Sequence, residues 1–288
     1  MAFSSIDDLV SELGAGKKAR LQGFRTIATG ATSVAGRWHE CFTGTGTGGA
    51  GTLTGTAGLG TAFSSSTTGA IPQPTASVST DTKHLLSMLG VTAATTAVPG
   101  VLMLTDLLYM YPSCVVTGTP TTFNNGAAKP TRHNNGAGVQ CSAIVATALG
   151  AATPTLTVTY TDQGGVSGSG AVTASANSLP VGSLMSGGAA AQLGAPFMSL
   201  SAGDSGVRQL DSYTLASGTT GTVTFVLHRP IATIPLVAAN TAGERDFLYQ
   251  MPSLPQIDDD ACLAFLYLPG GALIASQIVT YDLMTAWG

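Results

Sequence analysis

The serine of "GDSGV", residues 203 to 207, sits between glycines, where a hydroxyl can attack a carbonyl carbon beside backbone N–H donors. The chain order of a Ser-His-Asp constellation is available, with His39 or His84 as base, Asp106 to orient it and Ser205 as nucleophile. The same residues have the composition of a β-turn, in which Asp204 and Ser205 bond neighbouring backbone groups. In a chain with 37 glycines such a match comes cheaply, and Val207 stands where the nucleophile motif needs a glycine. The turn is the preferred reading, and no catalytic residue and no enzyme activity are expected.

A second candidate is the phosphate cradle G-x-G-x-x-G, met by Gly44, Gly46 and Gly49 and again by Gly46, Gly48 and Gly51. Such a loop needs a strand before it, a helix after it and an acid about 20 residues on, because the helix N-terminus binds the pyrophosphate. Here the next acid is Asp81 and the chain runs on as Gly and Thr. The segment is therefore read as a long extended loop, made of small residues because it lies close to neighbouring backbone.

Metal and redox chemistry find little support. Cys41, Cys114, Cys141 and Cys262 form no C-x-x-C pair and are expected to be free and buried, while His39, His84, His133 and His228 lack ligand spacing. Asp258, Asp259 and Asp260 are consecutive, so they cannot flank a glycosidic bond, and they lack the D-x-D-x-D-G pattern of a calcium loop. They read as an exposed acidic turn. No cofactor, metal or small-molecule substrate is expected.

The elements that position these residues are mostly strands. In "TLTVTYT", Leu156, Val158 and Tyr160 alternate with threonines, a period of two with one apolar and one hydroxyl face. Further strands are expected at "GVLMLTD", "VQCSAIVAT", "SGAVTAS", "TVTFVLH", "IATIPLV" and "CLAFLYL", separated by Gly- and Asn-rich turns. Two peripheral helices are expected. One lies at "SSIDDLVSEL", with Ser5 as N-cap, Asp8 completing a capping box and Gly14 as terminator; the other at "STDTKHLLSMLG", capped by Ser79 or Thr80. The fold class that follows is mainly β, a jelly-roll-like sandwich with short peripheral helices and long Gly/Thr-rich loops. Its expected divisions are a helix and arm over residues 1–40, an extended Gly/Thr-rich segment over 41–77 and a sandwich body over 78–288.

Charge bounds the function. Only 9% of residues are charged, against roughly 25% in an ordinary domain, while 44% are hydrophobic and the net charge is -4. Polarity is carried by Thr, Ser, Asn and Gln, which suits surfaces that pack against neighbours. Asp7 and Asp8 interrupt the N-terminus before any signal-peptide core could form, and Pro269 and glycines break the longest apolar run. No membrane span is expected. Lys17, Lys18, Arg20, Arg25 and Arg37 occur without an intervening acid and are the candidate partner-contact residues, a basic docking arm. They lack the aromatic interleaving of a nucleic-acid reader, so nucleic acid is not the expected partner; an acidic protein neighbour, such as another copy's Asp258 to Asp260, fits better.

Whole segments add to this. "MAFSSIDDLVSEL", "VSTDTKHLLSMLGVTAATTAVPGVLMLTDLLYMYP", "NNGAGVQ" and "AGERDFLYQMPSLPQIDDDACLAFLYL" resemble a family of tailed-bacteriophage virion proteins. The resemblance covers most of the chain, least of all residues 43 to 69, and contains no catalytic motif. It implies a structural component of the particle, assembled in the host cytoplasm. A capsid decoration protein on the outer shell, binding the major capsid protein and copies of itself as a homotrimer, is the first expectation. A tail or connector component and a host-receptor or glycan-binding module are the alternatives.

Overall fold

The computed structural model describes residues 3–27, 35–74, 81–93, 99–115, 119–125, 130, 132–150, 155–173, 180–185, 196–216, 220–250, 253–271 and 277–288. In chain order the elements begin with α1 (Ile6–Gly14), β1 (Lys18–Thr26), β2 (His39–Glu40), β3 (Thr61–Ala62), β4 (Lys83–Ala93) and β5 (Gly100–Val115). There follow β6 (Thr121–Thr122), β7 (Gln140–Thr147), β8 (Thr155–Asp162), β9 (Ser167–Thr173), β10 (Leu184–Met185) and β11 (Val207–Ala216). The chain closes with β12 (Thr222–Leu236), β13 (Gly243–Asp246), α2 (Phe247–Gln250), β14 (Gln256–Ile257), β15 (Cys262–Pro269) and β16 (Ile278–Trp287).

These strands form three antiparallel sheets. A seven-stranded sheet runs β10-β7-β12-β5-β15-β2, with β3 added to β5; a five-stranded sheet runs β1-β16-β4-β13, with β14 added to β4; a four-stranded sheet runs β6-β11-β8-β9. The chain is thus mainly β, in packed antiparallel sheets of the jelly-roll-like sandwich kind expected from its alternating runs.

The long strands β5 and β12 carry the architecture. Toward one end of the seven-stranded sheet, Tyr111 and Phe225 pack with Val158, Tyr160 and Leu210 of the four-stranded sheet. Toward the other end, Leu102, Leu104, Ile234 and Phe265 pack with Leu85, Met88, Tyr281 and Leu283 of the five-stranded sheet. On the opposite face Leu107, Met110, Val226 and Leu266 meet Trp38, Phe42, Leu53 and Phe63 from the segment around the glycine-rich stretch. This explains why β15 is a continuous apolar run: all its residues are buried, and those from Cys262 to Leu268 lie alternately in the third and second of these cores.

The glycine-rich stretch is a closely packed cover. Thr45 accepts from the Thr26 N–H at 2.9 Å and the Thr47 N–H donates to the Phe24 carbonyl at 2.9 Å, so the stretch closes the C-terminal half of β1's outer edge. A Cβ on Gly44 would lie 1.9 Å from the Thr26 carbonyl oxygen, and Gly46 adopts φ +142 with its Cβ position 2.1 Å from the Phe24 oxygen. Close approach of backbone is thus why the stretch is made of small residues, and no helix follows it to make a phosphate cradle.

Several expected elements take another form. Ser5 does cap α1, its side chain accepting from the Asp8 N–H, but the helix extends through Gly14 to a cap at Ala15, with Gly16 in the left-handed region. The helix expected at "STDTKHLLSMLG", ending at Gly90, is replaced by β4 from Lys83 to Ala93; the proposed caps Ser79 and Thr80 lie outside the described residues. A short apolar run reads equally as either, and here β4 lies between β16 and β13, so both its edges are hydrogen-bonded to other strands. "TVTFVLH" and "IATIPLV" are one strand, β12, continuing through Pro230 at a register irregularity opposite Thr105. The basic segment after α1 is β1, paired with β16 over its whole length from Lys18↔Ala286 to Thr26↔Ile278, rather than a free arm. The division expected at residue 77 falls outside the described residues.

Candidate functional site

The residues of the serine-nucleophile reading do not converge. His84 is on β4 of the five-stranded sheet, Asp106 on β5 of the seven-stranded sheet, and Ser205 just before β11 of the four-stranded sheet. His39 shares Asp106's sheet, but it pairs with Tyr267 while Asp106 pairs with Leu263, across the intervening β15. That separates them by about 15 Å at ordinary strand spacings. Ser205 lies in a turn in which the Asp204 N–H bonds the Ser201 carbonyl at 3.1 Å and the Ser205 N–H donates to Gln163 at 3.0 Å.

A different serine and histidine do meet. Ser142 Oγ lies 2.6 Å from His228 Nε2, across the β7–β12 pair. Both are fully buried, and burial depresses the imidazole to about 3, so it is neutral at ordinary pH. Its Nδ1 has no hydrogen-bond partner, so the orienting carboxylate of a triad is missing. Sequence reasoning missed this pair because its members are far apart in the chain and only the strand register aligns them.

The densest chemistry surrounds Asp106. Arg132 grips its carboxylate twice, Nη2 to Oδ1 at 2.7 Å and Nε to Oδ2 at 2.9 Å, and also donates to the carbonyls of Leu107 and Phe63 at 3.0 Å. The Cys262 N–H adds a bond to Oδ1 at 2.8 Å. The acids expected as an exposed turn each find a separate partner: Asp258 with His133 at 2.6 Å, Asp259 with Lys83 at 3.1 Å, and Asp260 with Arg132 at 3.3 Å. Asp260 also accepts from the N–H and hydroxyl of Ser65, tying in the end of the glycine-rich stretch.

Could this cluster hold a metal? Asp106, His133 and Asp258 each place a ligand atom within 4.8 Å of the others. Against that, both Asp106 oxygens are occupied by Arg132 and Cys262, and Arg229 lies on the His133 ring. Two guanidinium groups stand where a cation's charge would be, so the arrangement is a closed ionic clasp. Burial raises the Asp106 pKa against the opposing pull of Arg132, whereas the His133 hydrogen bond holds Asp258 below the usual carboxylate range.

The five basic residues expected to contact a partner are dispersed. Lys17 pairs with Glu12 at 2.9 Å and Asp81 at 3.1 Å, and Arg20 forks onto Asp282. Arg25 is buried, and its N–H groups go to the carbonyls of Cys41, Phe42, Thr47 and Gly49. Arg37 is also buried. Lys18 and Arg20 alone of the five point outward from β1, because successive strand residues face opposite sides of a sheet.

The outer face of the five-stranded sheet is charged toward Lys18, Arg20 and Asp282 and apolar toward Phe24 and Ile278. Phe24, Ile278 and Met284 are 45%, 39% and 41% exposed. By register Phe24 lies beside Thr280 and then Val91, and Ile278 beside Ala93, making a neutral end; Gln22, Asp282 and Leu89 make the next row. An open groove of about 660 Å³ runs across this face between Gln22, Phe24, Leu89 and Ile278. An antiparallel sheet usually turns polar side chains to water on its outer face, and the exposed Phe24 and Ile278 at this end depart from that pattern.

No protein-family model matches the chain, and no curated protein matches it in sequence. Two solved structures of a virus overlap it loosely. The structure of infectious bursal disease virus Gt strain is 10% identical, with 94% of this chain and 81% of that chain covered at a TM-score of 0.18. The infectious bursal virus derived T=1 particle is also 10% identical, covering 94% and 63% at a TM-score of 0.10. Overlaps this loose establish neither a shared fold nor a shared function.

Proposed function

We propose that this chain is a non-enzymatic structural protein of a tailed-phage virion, a decoration protein that binds the outer surface of the head. Its partners are then the major capsid protein and further copies of itself, as a trimer at local three-fold positions. The observation that carries the reading is the outer face of the five-stranded sheet, where Phe24, Ile278 and Met284 stand exposed on a regular strand surface. Docking through the end around Phe24 and Ile278 desolvates no ion, because the rows Phe24–Thr280–Val91 and Ile278–Ala93 carry no charged side chain.

The disposition of charge supports the same reading. The acids at 258 to 260 and most of the candidate basic residues are engaged within the chain, leaving neutral surfaces for contact with a shell. Docking therefore rests on this sheet face rather than on a basic arm. The test is add-back of purified protein to particles lacking it. Wild type should saturate the shell and the Phe24→Asp/Ile278→Asp double variant, folded by circular dichroism, should fail to bind; equal occupancy by both would overturn the assignment.

A further inference from the structure

Glu40 is a buried carboxylate that no cation neutralises. It lies on β2, is 2% exposed, and accepts from the N–H and hydroxyl of Thr43, the former at 2.8 Å, and from the Phe42 N–H. The nearest guanidinium, Arg25, acts on it only through space, because all five of its N–H groups go to the carbonyls of Cys41, Phe42, Thr47 and Gly49. Among the described residues no basic group lies within ion-pair distance of Glu40.

Glu40 is one of the residues lining a cavity of about 230 Å³, between the 51–54 stretch and the β7 side of the seven-stranded sheet. Leu53, Ile144, Ala146 and Val181 supply apolar walls, and the exposed Thr52, Thr54 and Val181 form its rim. The Leu53 carbonyl is fixed from below by the Thr224 hydroxyl at 2.7 Å, so the wall is held in place.

We propose that this cavity binds a primary alkylammonium group, the charged end on Glu40 and the alkyl chain between Leu53, Ile144 and Val181. A carboxylate has about four acceptor positions, and three are occupied, which leaves one for a further donor. The Thr43 hydroxyl donates its proton to Glu40 and so offers lone pairs to a second ammonium N–H. A guanidinium suits the site less well, since its planar fork needs both carboxylate oxygens free in one plane. A hard metal ion suits the site less well, since most of Glu40's acceptor positions are taken by N–H and O–H donors and the side chains of Leu53, Ile144, Ala146 and Val181 supply no oxygen. Burial raises the Glu40 pKa, and an ammonium at the site would draw it back down.

The probe is n-butylammonium, a lysine side chain without its backbone, titrated calorimetrically into the full chain. Saturable binding is expected, at least about ten-fold tighter than 1-butanol or n-butylguanidinium. Val181→Trp, which closes the rim without touching Glu40, should abolish it, as should Glu40→Gln if that variant folds. No saturable binding, equal binding of 1-butanol, or undiminished binding to Val181→Trp would each overturn the proposal. The source of the ammonium is read from Nα-acetyl-lysine methylamide: tighter binding than n-butylammonium assigns a lysine of a neighbouring chain, weaker binding a free amine. The cavity is separate from the outer face of the five-stranded sheet, so its failure leaves the decoration reading to its own test.

Discussion

Removing the Arg132 guanidinium leaves Asp106 buried against β15 with one remaining donor, the Cys262 N–H. Arg132→Ala should therefore cost about 3 to 5 kcal/mol in denaturant unfolding, whereas an Asp106→Leu/Arg132→Met pair, which removes both charges, should recover most of it. A loss below about 1 kcal/mol, the level of an exposed pair, would contradict the clasp. The clasp also sets an acid dependence with two opposed signs. Asp258 is held low by His133, so its stabilisation is complete above the unfolded value of about 3.9 and is lost as pH falls through its lower folded value. Asp106 is raised by burial, so its ionisation opposes folding and protonation in acid relieves that opposition. Asp258→Asn should flatten the fall in stability at low pH and Asp106→Asn should not, measured by unfolding from about pH 6 to pH 2. The sequence showed three consecutive acids but not their partners, because Lys83, Arg132 and His133 reach them from distant segments. Nor did the sequence mark Glu40: its bonds to Phe42 and Thr43 are local, but the cavity beside it is formed by the 51–54 stretch, β7 and Val181, which lie far along the chain.

At the scale of elements, the glycine-rich cover and β1 stand together. Gly44→Ala places a methyl carbon 1.9 Å from the Thr26 carbonyl, backbone that cannot move without breaking the β1–β16 pairing. It should destabilise by at least about 2 kcal/mol, read as a fall in midpoint denaturant. Gly14→Ala meets nothing within 4 Å at the end of α1 and should be neutral or stabilising by up to about 1 kcal/mol. Equal effects at the two positions would contradict the packing role. The strands with strict alternation or a long apolar run, β5, β7, β8, β12 and β15, were legible because one period settles their faces. β4 was not, since its leucines and flanking hydroxyl residues fit a helix equally well and only pairing with β16 and β13 decides the matter. β1 was read for its charge, although Leu21 and Gly23 between the outward residues carry the period of two. Deleting residues 1–27 should accordingly expose the β16 edge and cause aggregation by light scattering, not release a folded body.

The whole molecule combines a sparsely charged sequence, three sheets around shared cores and an apolar end, at Phe24 and Ile278, on the outer face of the five-stranded sheet. Each is suited to residence in a large assembly, where many copies meet neighbours through weakly charged contacts. Low charge and β architecture were legible in composition and periodicity; the exposed apolar side chains Phe24, Ile278 and Met284 were not, because their exposure is a property of sheet order and of what leaves that side uncovered. A decoration protein covers its shell, so its abundance follows that of the coat. The most direct measurement is quantitative mass spectrometry of purified particles, scaling this chain against the major capsid protein. Near-equal abundance is the expected result; absence from the particles would contradict the account.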